Sequence, residues 1–364
     1  MKLFEITSVL EKLAPLSLQE HYDNAGLLLG DAGQDITMAL LCLDVTEQVV
    51  DEAISIGCNL IISHHPVIFS GLKRLTGNNY TERILLKAIR HNIALYAAHT
   101  NIDNILNGVN FRIAARLGLQ HVNVLLPKGE LLMKLYTFVP ESHVNEVRDA
   151  LFGAGAGSIG NYDECSFGTI GTGTFRGNTA TNPFVGTIGK RHYEKEVRLE
   201  VIFPGWLQEK VIEALLQHHP YEEVAYDLVS LKNLSSLVGA GLTGMLETPL
   251  EPAAFLKQLK DNMNVQVVRH TRLIPKKISK VAVCGGAGSF LLDQAIKAEA
   301  DIFISADFKY HQFFDADDRI MIADIGHFES EQFTPEIFAE VLREKFPTFA
   351  VHFTTVDTNP INYF

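Results

Sequence analysis

Apolar and polar positions alternate along this chain with two periods, and the changes of period divide it into three stretches. Leu3, Ile6, Val9, Leu10 and Leu13 recur at helical spacing with Glu5 and Glu11 between them, so the chain opens on an amphipathic helix. Short apolar runs follow, bounded by polar turn residues. Met38 to Leu43, Asn59 to Ile62 and Ile93 to Ala97 read as buried strands. Between them, Thr46 can cap a helix that Gly57 ends, a second helix lies near Thr81 to His91, and a third, Asn107 to Leu117, is closed by Gly118. Strands alternating with helices predict a parallel or mostly parallel sheet for the residues up to about Pro127.

The middle stretch carries an internal repeat. TFVPESHVNEVRDALFGAG is similar to VIFPGWLQEKVIEALLQHH, and Pro140 stands to Val147, Ala150 and Leu151 as Pro204 stands to Val211, Ala214 and Leu215. Each copy reads as a strand, a proline at the helix start and an amphipathic helix. Two such units with added strands predict a ferredoxin-like α+β module. The Gly- and Thr-rich stretch between them, Gly168 to Gly189, reads as a hairpin with long loops. From about Gly239 the α/β pattern returns, with strands at Lys280 to Cys284, Asp301 to Ser305, Arg319 to Ala323 and Phe349 to Thr354, and with GGAGS turning into a helix after the first. The expected organisation is one two-lobed α/β domain made of residues 1–130 and 232–364, interrupted by an inserted domain of residues 131–231. An insertion of this kind is physically cheap because a domain's own termini usually lie close together.

Composition narrows the functional classes. A length of 364 residues suits roughly two to three domains, and 47% hydrophobic with 20% charged residues supplies sizeable cores. A net charge of −12 argues against a nucleic-acid binder or an anionic-membrane binder, both of which need clustered Lys and Arg. The apolar runs are too short to span a bilayer, and no signal-peptide pattern opens the chain. The four cysteines, Cys42, Cys58, Cys165 and Cys284, form no C-x-x-C pair, which excludes a thiolate zinc site of that type and fits a reducing, cytoplasmic location.

The candidate chemistry gathers at strand ends. Ser63-His64-His65-Pro66 follows one strand, His99-Thr100-Asn101-Ile102-Asp103 the next, and Asp324-Ile325-Gly326-His327 a third, with Glu331 four residues on. Ligands of open α/β sheets bind beyond the carboxyl ends of the strands. Imidazole and carboxylate suit Zn, Fe, Mn, Co or Ni. His327 and Glu331 share one helix face, whereas the adjacent His64 and His65 diverge and could serve two metals. Asp103 could complete one site, His327 the other, and Glu331 could bridge both. Two ions about 3.5–4 Å apart can activate water and polarise a substrate.

Each motif alone has a plainer reading: His64-His65-Pro66 as a loop with a satisfied histidine, His327 and Glu331 as a surface pair, Asp103 as a helix cap. Their convergence at one sheet edge favours metal. His99 is expected to orient Asp103 or a bound water, while Asp307, Lys309 and His311 either start a helix or bind phosphate and move protons. Gly285, Gly286 and Gly288 read as a tight turn rather than an anion cradle, since a Walker lysine is missing. Cys284 beside them lacks a triad. His218-His219-Pro220 repeats the tripeptide at a helix end inside the insertion, where it reads as structural.

Taken together, EHYDNAGLLLG, SHHPVIF, AAHTNIDN, GGAGS, ADFKYH and DIGHFESE resemble the Nif-three-like family, catalogued as GTP cyclohydrolase 1 type 2 homologs, and HPYEEVAYD resembles its inserted PII- or CutA-like domain. The resemblance implies two divalent metal ions per chain, held by His64, His65, Asp103, His327 and Glu331, and a toroidal homohexamer. Two functions compete. One is a metal-dependent hydrolase of a nucleotide or related heterocycle, with Glu331, His99, His311 and Lys309 around the reacting centre. The other is a metal-binding regulatory or scaffold protein whose PII-like insert senses a small ligand without catalysis.

Overall fold

In the computed structural model, which describes residues 1–364, the apolar runs become central strands of two sheets, and the chain separates into two compact units, Met1–Pro127 with Ser236–Phe364, and Lys128–Ser235. In chain order the strands are β1 (Gly26–Leu29), β2 (Met38–Cys42), β3 (Leu60–Ser63), β4 (Ala94–Ala97) and β5 (Gln120–Pro127) in the larger unit. The smaller unit adds β6 (Leu132–Pro140), β7 (Ser166–Phe175), β8 (His192–Pro204) and β9 (Tyr226–Leu231). The larger unit then resumes with β10 (Gly239–Leu250), β11 (Arg269–His270), β12 (Ile278–Ala287), β13 (Ile302–Ala306), β14 (Met321–Asp324) and β15 (Ala350–Phe353).

The first sheet runs β1-β4-β3-β2-β15 and the second β11-β14-β13-β12-β10-β5. Parallel pairing joins β15, β2, β3 and β4 in one and β12, β13 and β14 in the other, with antiparallel strands at the margins. The expected mostly parallel architecture holds in the first sheet, where three of four pairings are parallel; in the second only β12, β13 and β14 are, and the strand β5 of the first stretch joins that sheet antiparallel to β10. Side chains alternate across each strand. Ala39, Leu41, Leu60, Ile62 and Tyr96 of the first sheet share one core with Val281, Val283, Ile302, Ile304 and Met321 of the second and with the helices Leu3–Leu13, Pro252–Met263 and Thr334–Lys345. The opposite residues, Leu40, Cys42, Ile61 and Leu95, pack against the helices Glu47–Ser55 and Tyr80–Arg90. Burial on both faces explains why these strands read as unbroken apolar runs. No helix is long and apolar enough to cross a membrane.

One pairing goes beyond what the pattern specified, and one expectation needs correction. The last strand leaves the second lobe and completes the first sheet, Ala350 to Phe353 lying beside Met38 to Leu41. Hydrophobic patterning identifies a strand but not its neighbour. In addition, β12 does not turn at Cys284: it runs on through Gly285 and Gly286 to Ala287.

The smaller unit has sheet order β7-β8-β6-β9, every neighbouring pair antiparallel, with helices Val144–Gly153 and Gln208–His218 against one face. A βαββαβ path with this order is the expected ferredoxin-like arrangement, the one shared by PII- and CutA-like domains. Pro140 and Pro204 end strands rather than start helices, and one 3₁₀ turn separates each from its helix. The Gly- and Thr-rich stretch is half strand: β7 pairs with β8 from Ser166 opposite Val201 to Phe175 opposite His192, and residues 176–191 form the loop. His219 is a satisfied buried histidine, with Nε2 3.1 Å from the Phe138 carbonyl and Nδ1 accepting from the Tyr221 amide.

At the foot of β13, the buried Asp301 carboxylate accepts from the amides of Ser279 and Lys280 and pairs with Lys276. Burial raises its pKa, but Lys276 and the two amides outweigh this and hold it below the ordinary value. A depressed carboxyl stabilises the fold above its unfolded pKa of about 3.9 and stops doing so as pH falls through the folded value. Asp301→Asn is therefore expected to lower the urea midpoint at neutral pH, with the deficit shrinking below about pH 4.

Candidate metal centre

Three segments bring their side chains to the carboxyl edges of the two sheets. After β3, the amides of His64 and His65 both donate to the Leu43 carbonyl at 3.2 and 3.0 Å, and Ser63 Oγ donates to the His65 carbonyl, so a tight turn fixes both rings. After β4, a one-turn helix, Thr100–Asp103, sets Asp103 in place, held by Asn110 on its carbonyl. After β14, Gly326 at φ +92° starts the short helix His327–Glu331, which puts its first and last residues on one face. Gly285 and Gly286 of β12 pass directly beneath Glu331.

The donors fall into two groups. His64 Nε2 lies 3.6 Å from Asp103 Oδ1 and 3.7 Å from Glu331 Oε1. His65 Nε2 lies 3.1 Å from Glu331 Oε2 and 3.3 Å from His327 Nε2, which is itself 3.2 Å from the same oxygen. Glu331 thus gives one oxygen to each group. A third set, His64, His65 and His99, also falls within metal-holding reach. Atoms each about 2.0–2.2 Å from one ion stand about 3–4 Å from each other, so these separations suit a shared cation.

The far side of every ring is tied. His64 Nδ1 donates to the Ala98 carbonyl at 2.9 Å, and His65, His327 and His99 pair through Nδ1 with Asp44, Asp307 and Asp23, each at 2.7 Å. These bonds fix the rings and turn Nε2 of His64, His65 and His327 toward the other donors, the usual arrangement behind metal-bound imidazole. Asp44 also accepts from Thr358, and Asp23 from the Thr100 amide and hydroxyl.

Electrostatics decides what such a site can hold. His64 is fully buried, and burial drives its pKa down, so Nε2 carries a lone pair. Both His64 Nε2 and Asp103 Oδ1 are buried without a hydrogen-bond partner. Two acceptors facing each other away from water are costly. Burial and the Glu331 charge push the Asp103 carboxyl well up. Burial would do the same to Glu331, but His64, His327 and His65 together hold it well down. Against the opposing pull of burial, Asp44 and Glu331 raise His65 to about 10, and Glu331 and Asp307 raise His327 to about 9. The cluster requires positive charge. Protons can meet part of that demand, and a divalent cation would give the orphaned His64 and Asp103 atoms the partner they lack, so the residues fit the metal that the resemblance implies.

A family profile described as Duf34/NIF3 (NGG1p interacting factor 3) matches residues 1–360. The chain belongs to the Duf34/NIF3 family. It is 39% identical over 363 residues to a Halalkalibacterium halodurans protein named GTP cyclohydrolase 1 type 2 homolog, covering 98% of each chain. It is 35% identical to a Bacillus subtilis protein of the same name, covering 99% of this chain and 98% of that one. Among solved structures, the Bacillus cereus protein related to NIF3 superposes with a TM-score of 0.88 at 38% identity, covering 100% of this chain and 99% of the other.

In this Duf34/NIF3 chain, His64, His65, Asp103, His327 and Glu331 converge, and His99 stands beside them, its ring centroid 5.3 Å from that of His64 and 5.4 Å from that of His65. Lys309 and His311 do not join: both are exposed, and no hydrogen bond or ion pair links them to the donors. His311 meets Tyr310 edge-on and lies tilted against Phe314 instead. The glycine amides cradle no anion, because those of Gly285, Gly286 and Gly288 are taken by Asn110, Ser330 and Ser305. Cys284 is buried and burial drives its thiol pKa up, which excludes a ready nucleophile. Sequence reading missed Asp23 and Asp44. Asp44 follows β2 as the histidines follow β3, so the strand-end rule could have found it. Asp44→Asn and Asp307→Asn are each expected to weaken metal binding by about 10–100-fold, read by competition with a coloured chelator.

Proposed function

We propose that the chain is a metal-dependent hydrolase with a dinuclear centre, acting on a nucleotide or related heterocycle. The observation that carries this reading is the position of Glu331, whose two oxygens face two separate donor groups. His64, Asp103 and Glu331 would hold one ion, and His65, His327 and Glu331 the other. Bound divalent metals supply Lewis acidity and lower the pKa of water.

The surrounding residues do the rest. Asp44 and Asp307 hold the rings of His65 and His327 in the donor orientation. Asp23, which lies below its ordinary pKa at about 2 because bonds to His99 and Thr100 outweigh burial, keeps a fixed negative charge behind His99. That pairing orients His99 to take up or return a proton beside the donors. Tyr22 and Phe69, both exposed and stacked at 6.5 Å, extend from His99, with Phe69 6.0 Å from its ring. They offer flat apolar faces suited to a heterocycle.

The test is a screen of nucleotides and cyclic amides with protein loaded with Zn, Fe or Mn, alongside Glu331→Gln. Turnover that the variant loses supports the proposal. Absence of turnover on every substrate with all three metals rejects it in favour of a regulatory metal protein, a reading favoured by the cavity described next.

A further inference from the structure

The smaller unit holds a cavity of about 440 Å³ that owes nothing to the metal centre. It lies where the loop of residues 176–191 folds over the end of the sheet, and Phe138, Phe175, Phe184 and Tyr221 wall it. The size is that of a small-molecule site. Phe184 and Phe175 face Tyr221 with ring centroids 6.3 and 6.2 Å away. The loop is latched by the Asn182 amide, which donates to Glu222 at 2.8 Å.

The polar content of this aromatic box is unbalanced. Glu196 lines it and is only 8% exposed. One of its oxygens accepts from the Tyr221 hydroxyl at 2.8 Å, and the other receives no hydrogen bond. Burial and the bond to Glu196 push the Tyr221 pKa up, so the hydroxyl stays a donor. The free oxygen lies over Gly173, where a Cβ would collide with it, so the backbone there is shaped around the carboxylate. Glu222 and Glu223 add acidity at the edge, against the single exposed Arg176. A carboxylate oxygen without an internal donor is open to one supplied by a ligand, and charge-assisted bonds of that kind are the strong ones. Aromatic faces around it attract positive charge through their quadrupoles.

We propose that this cavity binds a small organic cation: a protonated amine on a flat apolar body, the ammonium on Glu196 and the body between Phe175, Phe184 and Tyr221. The protein then carries a second ligand site, chemically distinct from the metal centre and opposite in preference to an anionic nucleotide.

The test uses the full chain and three probes of one shape near neutral pH: tyramine, the neutral 4-ethylphenol and the anionic 4-hydroxyphenylacetate. Calorimetry should show tyramine binding at one per chain, at least about tenfold tighter than 4-ethylphenol, with no binding of the acid. Glu196→Gln should remove that tenfold preference while 4-ethylphenol binding stays unchanged. Phe184→Ala, on the exposed loop, should weaken both phenols without disturbing the core. Silence from tyramine at about 10 mM, where fragment-sized binding registers, overturns the proposal. So does binding of the neutral or anionic probe as tightly as the amine. If Glu196→Gln fails to fold, the ranking of the three probes on the unaltered protein decides.

Discussion

Replacing Glu331 with alanine is expected to strip metal from both donor groups at once, whereas Asp103→Ala and His327→Ala should each remove one. Asp103 serves only the His64 group and His327 only the His65 group, but Glu331 serves both. Elemental analysis after gel filtration reads this as near-complete against half loss. The affinity change should exceed the roughly 10–100-fold cost of losing an outer partner. A second readout needs no metal. In chelator-treated protein, the raised histidines, about 10 for His65 and about 9 for His327, stabilise the fold below an unfolded pKa of about 6.5. That contribution disappears as pH rises through the folded values. Thermal stability should therefore fall between about pH 6.5 and pH 10, and fall less steeply in Glu331→Ala, where the carboxylate that raises both is gone. Equal metal loss from all three variants would contradict the two-group geometry.

Gly286→Ala should be nearly as damaging although it replaces no donor residue. Gly286 sits at φ +61°, where an L side chain costs roughly 1–2 kcal/mol, and its Cβ would strike Glu331 Oε1. The carboxylate cannot retreat, because His64, His65 and His327 surround it. Gly118→Ala is the control: φ is +71°, but nothing lies within 4 Å of the added carbon. Both variants should lose similar stability from backbone strain, and only Gly286→Ala should also lose metal. If the two behave alike in metal content, the close approach of β12 to Glu331 has no functional weight.

The periodic pattern made the strands and most helices legible, because side chains buried on both faces leave unbroken apolar runs. It could not show that β15 belongs to the first sheet, since pairing partners are chosen by tertiary packing. The donors were legible because strand ends concentrate chemistry and because His-His and His-x-x-x-Glu are sparse patterns. Their outer partners were harder. Asp23 precedes a strand, β1, rather than following one, and nothing local distinguishes it from a solvated aspartate until His99 is seen at 2.7 Å. Lys309 and His311 show the opposite failure: they occupy the right stretch of sequence, yet their backbone turns them outward, and only Asp307 of that segment reaches a donor. The cavity in the smaller unit left no sequence signature, because its walls come from strands and loops that meet only after folding.

Because β15 borders β2, the sheet carrying His64 and His65 stays open on one side until residues 350–353 have been synthesised. A nascent chain halted before residue 350 would expose the backbone of Met38 to Leu41 as an unpaired edge, an invitation to intermolecular pairing. Ending the protein at residue 349 should accordingly yield aggregates rather than a half-active lobe.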